Sequence, residues 1–503
     1  MIPKHKTSKP PPTTSSSAAA AATTHGTWTP PPPPLSHAEP SPVSRDTRGI
    51  RRRRRSGAIL TMVRGRPSSK VEPEVKVNGE VSPKVSQGRG RKRTQTGKAP
   101  SEAKKVKVHI ERPSFEKGVV LTCGMGDVGQ LGLGEDVEEK TRPGLVPDLE
   151  NVVAVAAGGL HSVVLDKDGK VYTWGCNDEG GLGRVTKSEE ENFVSGVVEG
   201  INGKVSQITA GDCHTAALTE DGQVYAWGCF RDNSGPLGFV DREILQKTPR
   251  RLLENIPVVK ISSGNNHLAL LTQEGQVYTC GCGESGQLGR IAEVFATRDS
   301  RNRKGIETLL EPMPIKVFKN RKPVLFDDVW AGGLTTFARA RETGHIYAFG
   351  LNNYNQLGDE DTNMKFQPVL LKNFKGKKWL QVSGGQHHSL ALSEDGTAHS
   401  MGRREYGRLG MGDIKEDLKK PTPVKDLEGQ KAVSVSAGEC VSLVVMESGD
   451  AYGFGMGTNN QLAQGNDDDQ LVPVKLAGKQ LAERKVVSAH AGGQHTIILA
   501  VPK

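Results

Sequence analysis

Three short apolar runs follow one another between residues 152 and 183, each closed by a turn. Val152-Val-Ala-Val-Ala156 is small and apolar and is turned by Gly158-Gly159. His161-Ser-Val-Val-Leu165 is the second run, and Lys170-Val-Tyr-Thr-Trp174, with alternating character, is the third. Runs of this length bounded by glycine and aspartate predict β-strands. The turn before the third run, Asp166-Lys-Asp-Gly169, consists of residues that tolerate positive φ. Asp221-Gly222, Glu274-Gly275, Asp395-Gly396 and Ser448-Gly449 take the same place further along. Segments containing Pro143, Pro249, Pro314, Pro368, Pro423 and Pro473 fit outer edge strands, where no backbone donor is needed. The pattern predicts four short strands per unit.

A ten-residue phrase keeps the same beat. It first reads Cys123-Gly-Met-Gly-Asp-Val-Gly-Gln-Leu-Gly132, and its first glycines fall at 124, 175, 228, 281, 350, 402 and 455. The gaps are 51, 53, 53, 69, 52 and 53 residues. A second phrase, Ala157-Gly-Gly-Leu-His161, recurs from Ala210, Ser263, Ala331, Ser383, Ala437 and Ala491. A period near fifty signals a closed or stacked repeat array. This array opens on the first phrase and ends on the second, so the chain is cut in mid-repeat. Pairing Val119–Cys123 with His495–Leu499 would close a ring and remove two sheet edges. The expected fold is all-β: a seven-bladed β-propeller with split-blade closure over residues 113–503, preceded by a disordered basic tail, 1–112.

Charge separates the two parts. Residues 1–112 hold 24 Lys or Arg and 7 acidic residues, a net of +17. The rest holds 43 basic and 50 acidic residues, a net of −7, beneath an overall +10. That asymmetry points to a polyanion-binding arm on a mildly acidic ring. The tail, with Ala18–Ala22 and Pro30–Pro34, has too little apolar surface to offset its ordering entropy. Met62 opens a plausible alternative start. Arg91-Lys92-Arg93, a ten-residue spacer and Lys104-Lys105-Val-Lys107 have the form of a bipartite nuclear localisation signal. The seven cysteines are scattered without a CxxC pair and read as reduced core residues. No apolar run reaches membrane-spanning length, and no signal peptide is evident.

Several strings suggest chemistry that their context denies. Gly124-x-Gly126-x-x-Gly129 and Gly281-x-Gly283-x-x-Gly286 match the dinucleotide fingerprint, but neither opens a helix whose N-terminus could cradle phosphate. His161, His214, His267, His387 and His495 recur at one place in the second phrase; spread around a ring, they are too far apart to ligate one metal. His387-His388 is the only histidine doublet. Hydrolase, zinc-protease, phosphate-loop and calcium-loop motifs are missing. The sequence reads as a binding machine without metal, cofactor or covalent chemistry.

Two departures from the repeat stand out. Phe230-Arg231-Asp232-Asn233-Ser234-Gly235-Pro236-Leu237 is two residues longer than its equivalents and predicts a stiff protruding wedge. Between Arg290 and Val324 the period stretches by about sixteen residues, with Arg298, Arg301, Arg303 and Lys304 in the stretch.

The paired phrases, Gly126–Glu135, Cys229-Phe-Arg-Asp-Asn233, Gly384–His388 and Gly407-Arg-Leu-Gly410 resemble the family of the regulator of chromosome condensation, the nuclear guanine-nucleotide exchange factor for the small GTPase Ran. The resemblance spans 115–503 and reaches Lys104–Val108. It implies a Ran-binding rim at Asp127, Asp212, Asn266, Arg290, Asn353, His387 and His495, with Phe230–Leu237 as the exchange wedge. Asn266 departs from the family's Asp, and an amide does not attract a cation as a carboxylate does. Thr335 and Val441 replace the repeat histidine. The resemblance further implies that Arg298, Arg301 and Arg303 dock on the histone acidic patch of the nucleosome, that the tail follows DNA, and that a nuclear import receptor reads its basic clusters. The protein would then be nuclear and chromatin-associated, and cytoplasmic on nuclear envelope breakdown. The alternative is a propeller chromatin scaffold without exchange activity. A light-sensing relative would need a tryptophan cluster, and this chain has five tryptophans in all.

Overall fold

The computed structural model describes residues 118–239, 245–296 and 307–503. The expected boundary at 112/113 lies outside them. Seven four-stranded antiparallel sheets form the blades of a propeller. Blade 1 is the split one: Val119–Met125 pairs on one side with Glu139–Leu145 and on the other with His495–Pro502, which pairs in turn with Arg484–Ala491. The closing register sets Val119 opposite Ala500 and Gly124 opposite His495. Blades 2 to 7 follow in chain order, beginning at Val152, Val205, Val258, Phe326, Trp379 and Ala432.

Each strand looks as it does because of its place in the blade. The second strands, such as His161–Asp166, His267–Thr272 and Val441–Met446, are buried along their whole length. Packed between two neighbouring sheets, they are covered on both faces and carry continuous apolar runs. The proline-bearing segments all lie in outer strands; in blade 2 the outer strand is only Gly196–Val197. The turn glycines 169, 222, 275, 396 and 449 all have positive φ.

The core is distributed. Each of the seven large apolar clusters lies between two consecutive blades, the last of them between blades 7 and 1. One blade therefore has no core of its own, and ring closure completes the seventh interface. The closing glycine of the first phrase fits this packing. Gly183 has φ +69°, and a Cβ there would lie 2.6 Å from the Trp227 indole, whose Nε1 donates to the Gly181 carbonyl at 2.8 Å.

Candidate functional site

Both phrases turn on one face of the ring. Seven times, the residue after the first-phrase glycine donates its N–H to the carbonyl that precedes the second strand. The pairs are Met125 to Gln494, Cys176 to Leu160, Cys229 to Cys213, Cys282 to Asn266, Leu351 to Leu334, Arg403 to His387 and Met456 to Cys440. This face has a buried layer and an exposed one.

In the buried layer, histidines join blades. His161 Nε2 lies 2.8 Å from Thr215 Oγ1 of the next blade, His267 2.8 Å from Thr336 Oγ1, His388 2.9 Å from Ser442 Oγ and His495 2.8 Å from Ser162 Oγ. His214 reaches Ser263 Oγ at 3.0 Å. Thr215, Thr336, Ser442 and Ser162 donate their own protons to carbonyls at 2.8–3.0 Å. Those hydroxyls must accept from the imidazole, so Nε2 carries the ring proton. Burial pushes His161 down to about 4 and the other four to about 3, so all are neutral near pH 7.

The structure corrects three sequence expectations. The repeat histidine of blade 6 is His388, not His387: Gly385 N–H bonds the His388 carbonyl, as Gly158 bonds His161. The extra residue of the doublet puts His387 on the turn, beside the strand rather than in it. His495 is fully buried and latched to Ser162, so it presents nothing at the rim. Arg290 is a clamp rather than a rim contact. Its guanidinium bonds the carbonyls of Thr279, Thr308, Leu309 and Glu311 at 2.7–3.2 Å, holding the stretched part of blade 4. Arg184 does the same in blade 2, on Thr173, Glu191 and Val194.

The exposed layer holds the remaining expected residues. Asp127 and Asn353 occupy equivalent exposed positions. Each accepts from a buried glutamine, Gln130 at 2.9 Å and Gln356 at 3.0 Å, which fixes its direction. Asp212 and Asn266 sit at the mouth of the central channel. Asp178, Glu179, Glu439 and Arg231 line a cavity there with Asp212. Burial, then the charge of Glu439, pushes Asp212 up to about 7, while its bond from Asn266 opposes the shift. Burial also raises Glu439.

The wedge is a hairpin, Phe230–Asp232 paired with Gly235–Gly238. Phe230 and Leu237 are its buried root; Phe230 stacks on Phe239 at 4.8 Å and tilts against His214 at 4.6 Å. Asn233 and Ser234 at the tip are exposed, as is Pro236 beside them. Both neighbouring blades hold it. Arg231 forms an ion pair with Glu179 of blade 2, and Asn233 N–H donates to Glu284 Oε2 of blade 4 at 3.0 Å. Asn266 does two things at once: Oδ1 accepts from Arg231 N–H at 2.9 Å, and Nδ2 donates to Asp212 Oδ2 at 2.9 Å. A carboxylate there would lack the donor, so the amide ties the wedge to Asp212 rather than merely losing a charge.

Sequence reading missed Glu179, Glu284 and Glu439. A usable signal existed for Glu284: the third residue after the first-phrase glycine is Asp127, Asp178, Glu284 and Glu405 in four blades. The cysteines also divide. Cys123, Cys229, Cys280 and Cys282 are buried, whereas Cys176, Cys213 and Cys440 are partly exposed on this face. Arg298, Arg301, Arg303, Lys304, Arg91, Lys92, Arg93, Lys104, Lys105 and Lys107 lie outside the described residues. Among the described residues, no helix is long and apolar enough to cross a membrane.

The RCC1-like domain family matches residues 119–498. The chain is 47% identical over 417 residues to the human protein named regulator of chromosome condensation, covering 82% of this chain and 98% of that one. It is 29% identical over 437 residues to the Saccharomyces cerevisiae guanine nucleotide exchange factor SRM1, covering 75% and 86%. The crystal structure of S. cerevisiae Prp20p, described with its binding to Gsp1p and histones, superimposes with a TM-score of 0.69 at 29% identity over 78% of this chain and 93% of that one. The structure of Kap60 bound to yeast RCC1 (Prp20) gives 0.71 at 28% identity over 83% and 97%.

Proposed function

The chain belongs to the RCC1-like family of propellers, and on that premise we propose that its acidic face catalyses guanine-nucleotide exchange on the small GTPase Ran. The carrying observation is the braced wedge. A hairpin held by Glu179, Asn266 and Glu284 and rising beside the carboxylates at the channel mouth is built to push. Exchange by the SRM1 relative and Gsp1p binding by Prp20p support the reading.

No covalent step and no cofactor of the propeller are required. An exchange factor must bind the nucleotide-free GTPase far better than the loaded one, because only differential affinity shifts an equilibrium. Accelerating release about 10⁵-fold takes roughly 7 kcal/mol of barrier reduction. A floppy hairpin would lose much of that in ordering entropy; this one is ordered beforehand. Asp127, Asp178 and Glu284 attract a basic surface and orient it, and a cation arriving beside Asp212 favours its charged form. The wedge then competes with the contacts that hold the phosphates, and the nucleotide pool sets the direction.

Chromatin tethering is the second half of the proposal. Histone binding by Prp20p supports docking of Arg298, Arg301 and Arg303 on the nucleosome acidic patch, where forked guanidinium donors suit clustered carboxylates. The basic tail would follow DNA, with affinity falling steeply as salt rises. The Kap60 complex of yeast RCC1 supports import through Arg91–Arg93 and Lys104–Lys107, and so a nuclear location.

The test is release of a fluorescent guanine nucleotide from purified Ran, with the full chain as catalyst and nucleosomes in a second arm. The intact chain accelerates release, and removing Asn233 and Ser234 slows it by about 100-fold or more, the range of a lost transition-state contact. No acceleration, with nucleosome binding intact, would establish the scaffold instead.

A further inference from the structure

Between the turns of blades 5 and 6 the acidic face changes sign. Arg408 stands where blades 1, 4, 5 and 7 place Gln130, Gln287, Gln356 and Gln461. It is 1% exposed; its Nε donates to the Glu405 carbonyl at 2.8 Å, but Nη1 has no hydrogen-bond partner among the described residues. Arg403 lies over Tyr354, its Cζ 4.5 Å from the ring centroid, with Nε likewise unpartnered among the described residues. His387 meets the same Tyr354 ring edge-on at 5.1 Å, and its Nδ1 is also unpartnered. Burial, then the charges of Arg408 and Arg403, hold His387 below its ordinary value. Arg403 and His387 thus share the Tyr354 ring, and Arg408, its Cζ 5.3 Å from the Tyr406 ring, lies near enough for its charge to act on His387; each of the three keeps a buried nitrogen unused.

Packing does not require this. Gln130, Gln287 and Gln356 brace the same loop in blades 1, 4 and 5 with side-chain hydrogen bonds, and burying a guanidinium with an unmade bond is unfavourable. One group already answers the charge: Glu405, half-exposed, forms an ion pair with Arg403 from within the same turn.

We propose that His387, Arg403 and Arg408 form a socket for a single carboxylate side chain of the GTPase, and that Glu405 is its stand-in in the free protein. The idea rests on the exchange reading above. A carboxylate fits better than a polyanion. Asp127, Asp178 and Glu284 elsewhere on this face repel nucleic acid, but they tolerate a basic surface carrying one acidic residue. A guanidinium held over an aromatic ring keeps its fork of N–H donors for a carboxylate. On docking, the partner's carboxylate replaces Glu405 on Arg403, and Glu405 returns to water.

The competition gives two variants opposite signs, which a merely structural role would not do. Glu405→Gln removes the stand-in and lowers KM for the GTPase about threefold; Arg403→Gln removes the receiver and raises it about tenfold, with kcat changed less than about twofold in both. The full chain is used throughout, with Kd for nucleotide-free Ran as a second readout. If Arg403→Gln fails to fold, Arg403→Lys keeps the charge, loses the fork and is expected to raise KM about threefold. Shifts of the same sign in the Glu405 and Arg403 variants, or none beyond twofold, overturn the socket. If the unaltered chain binds Ran without releasing nucleotide, the exchange reading fails, and the Kd series still decides the socket.

Discussion

The latch layer and the rim layer of the propeller lie one or two residues apart in the chain and do opposite things. His161, His214, His267, His388 and His495 repeat around the ring, are fully buried, and bond a hydroxyl of the next blade. The residues just before them, such as Cys213, Asn266 and His387, differ from blade to blade and are partly exposed. What repeats builds the ring, because seven interfaces pose one packing problem. What varies makes one sector of the face unlike another, and a partner without sevenfold symmetry can be held only by such differences. An ionisable group that recurs in a repeat protein is therefore first a structural candidate.

The widest separation of the two layers is expected from paired variants. Asp212→Ala should lower kcat/KM about 10- to 100-fold with little change in Tm. His161→Ala should cost about 2–4 kcal/mol of stability, from a lost bond and a cavity, while the folded fraction keeps its exchange rate. Denaturant unfolding beside nucleotide release checks both, and the comparison breaks if either variant affects both readouts strongly.

Acid should strike the latch layer next. The five histidines have folded values of about 3 to 4, below the unfolded value of about 6.5. In that window the unfolded chain binds more protons, so their contribution is complete above about pH 6.5 and is lost progressively down to about pH 3. Unfolding free energy measured from pH 7 to 4 should fall steeply, and less steeply in a His161→Gln variant.

A smaller effect tests the joint between the layers. Asn266→Asp removes the amide donor and sets a second carboxylate against Asp212. Exchange should slow by about 5- to 10-fold, as expected for a lost positioning contact, and amide exchange in 231–235 should quicken. Faster nucleotide release in this variant would mean that charge at 266 matters more than the tie.

The smallest expected effect belongs to an interface that lacks a latch. Thr335 occupies the histidine position of blade 5, and its buried Oγ1 has no hydrogen-bond partner among the described residues. Val441 fills the equivalent place in blade 7. Thr335→Val should stabilise the protein by about 0.5–1 kcal/mol by removing an unsatisfied hydroxyl at constant shape, measurable as a shift in urea midpoint.

Legibility followed the range of the interactions. Strands, turns and the proline-marked outer edges were readable, because each depends on residues close in sequence. The pairing of Val119–Met125 with His495–Pro502 was also readable, since a repeat cut at both ends has one economical closure. The wedge appeared as two surplus residues. The roles of Arg290 and His495 did not follow, because a charged or titratable side chain looks the same in a string whether it faces water or a carbonyl. The register of the His387-His388 doublet failed for a similar reason: two adjacent histidines satisfy one motif equally, and only the Gly385 to His388 bond separates them.

By itself, then, the sequence determined the number of blades, the split closure, the opposition of a basic tail to an acidic ring, and the place where the repeat is broken. These follow from periodicity and composition, which a chain carries before it folds. Tertiary structure alone decided which repeated groups are buried. It made Asn266 a tie between Asp212 and the wedge, and gathered Glu179, Asn266 and Glu284 from two blades around one hairpin. It also left Arg408 with an unused donor. The contacts of the wedge and of Asn266 span 35 to 54 residues of chain, where side-chain direction and burial are set by the neighbouring blade and not by the local string.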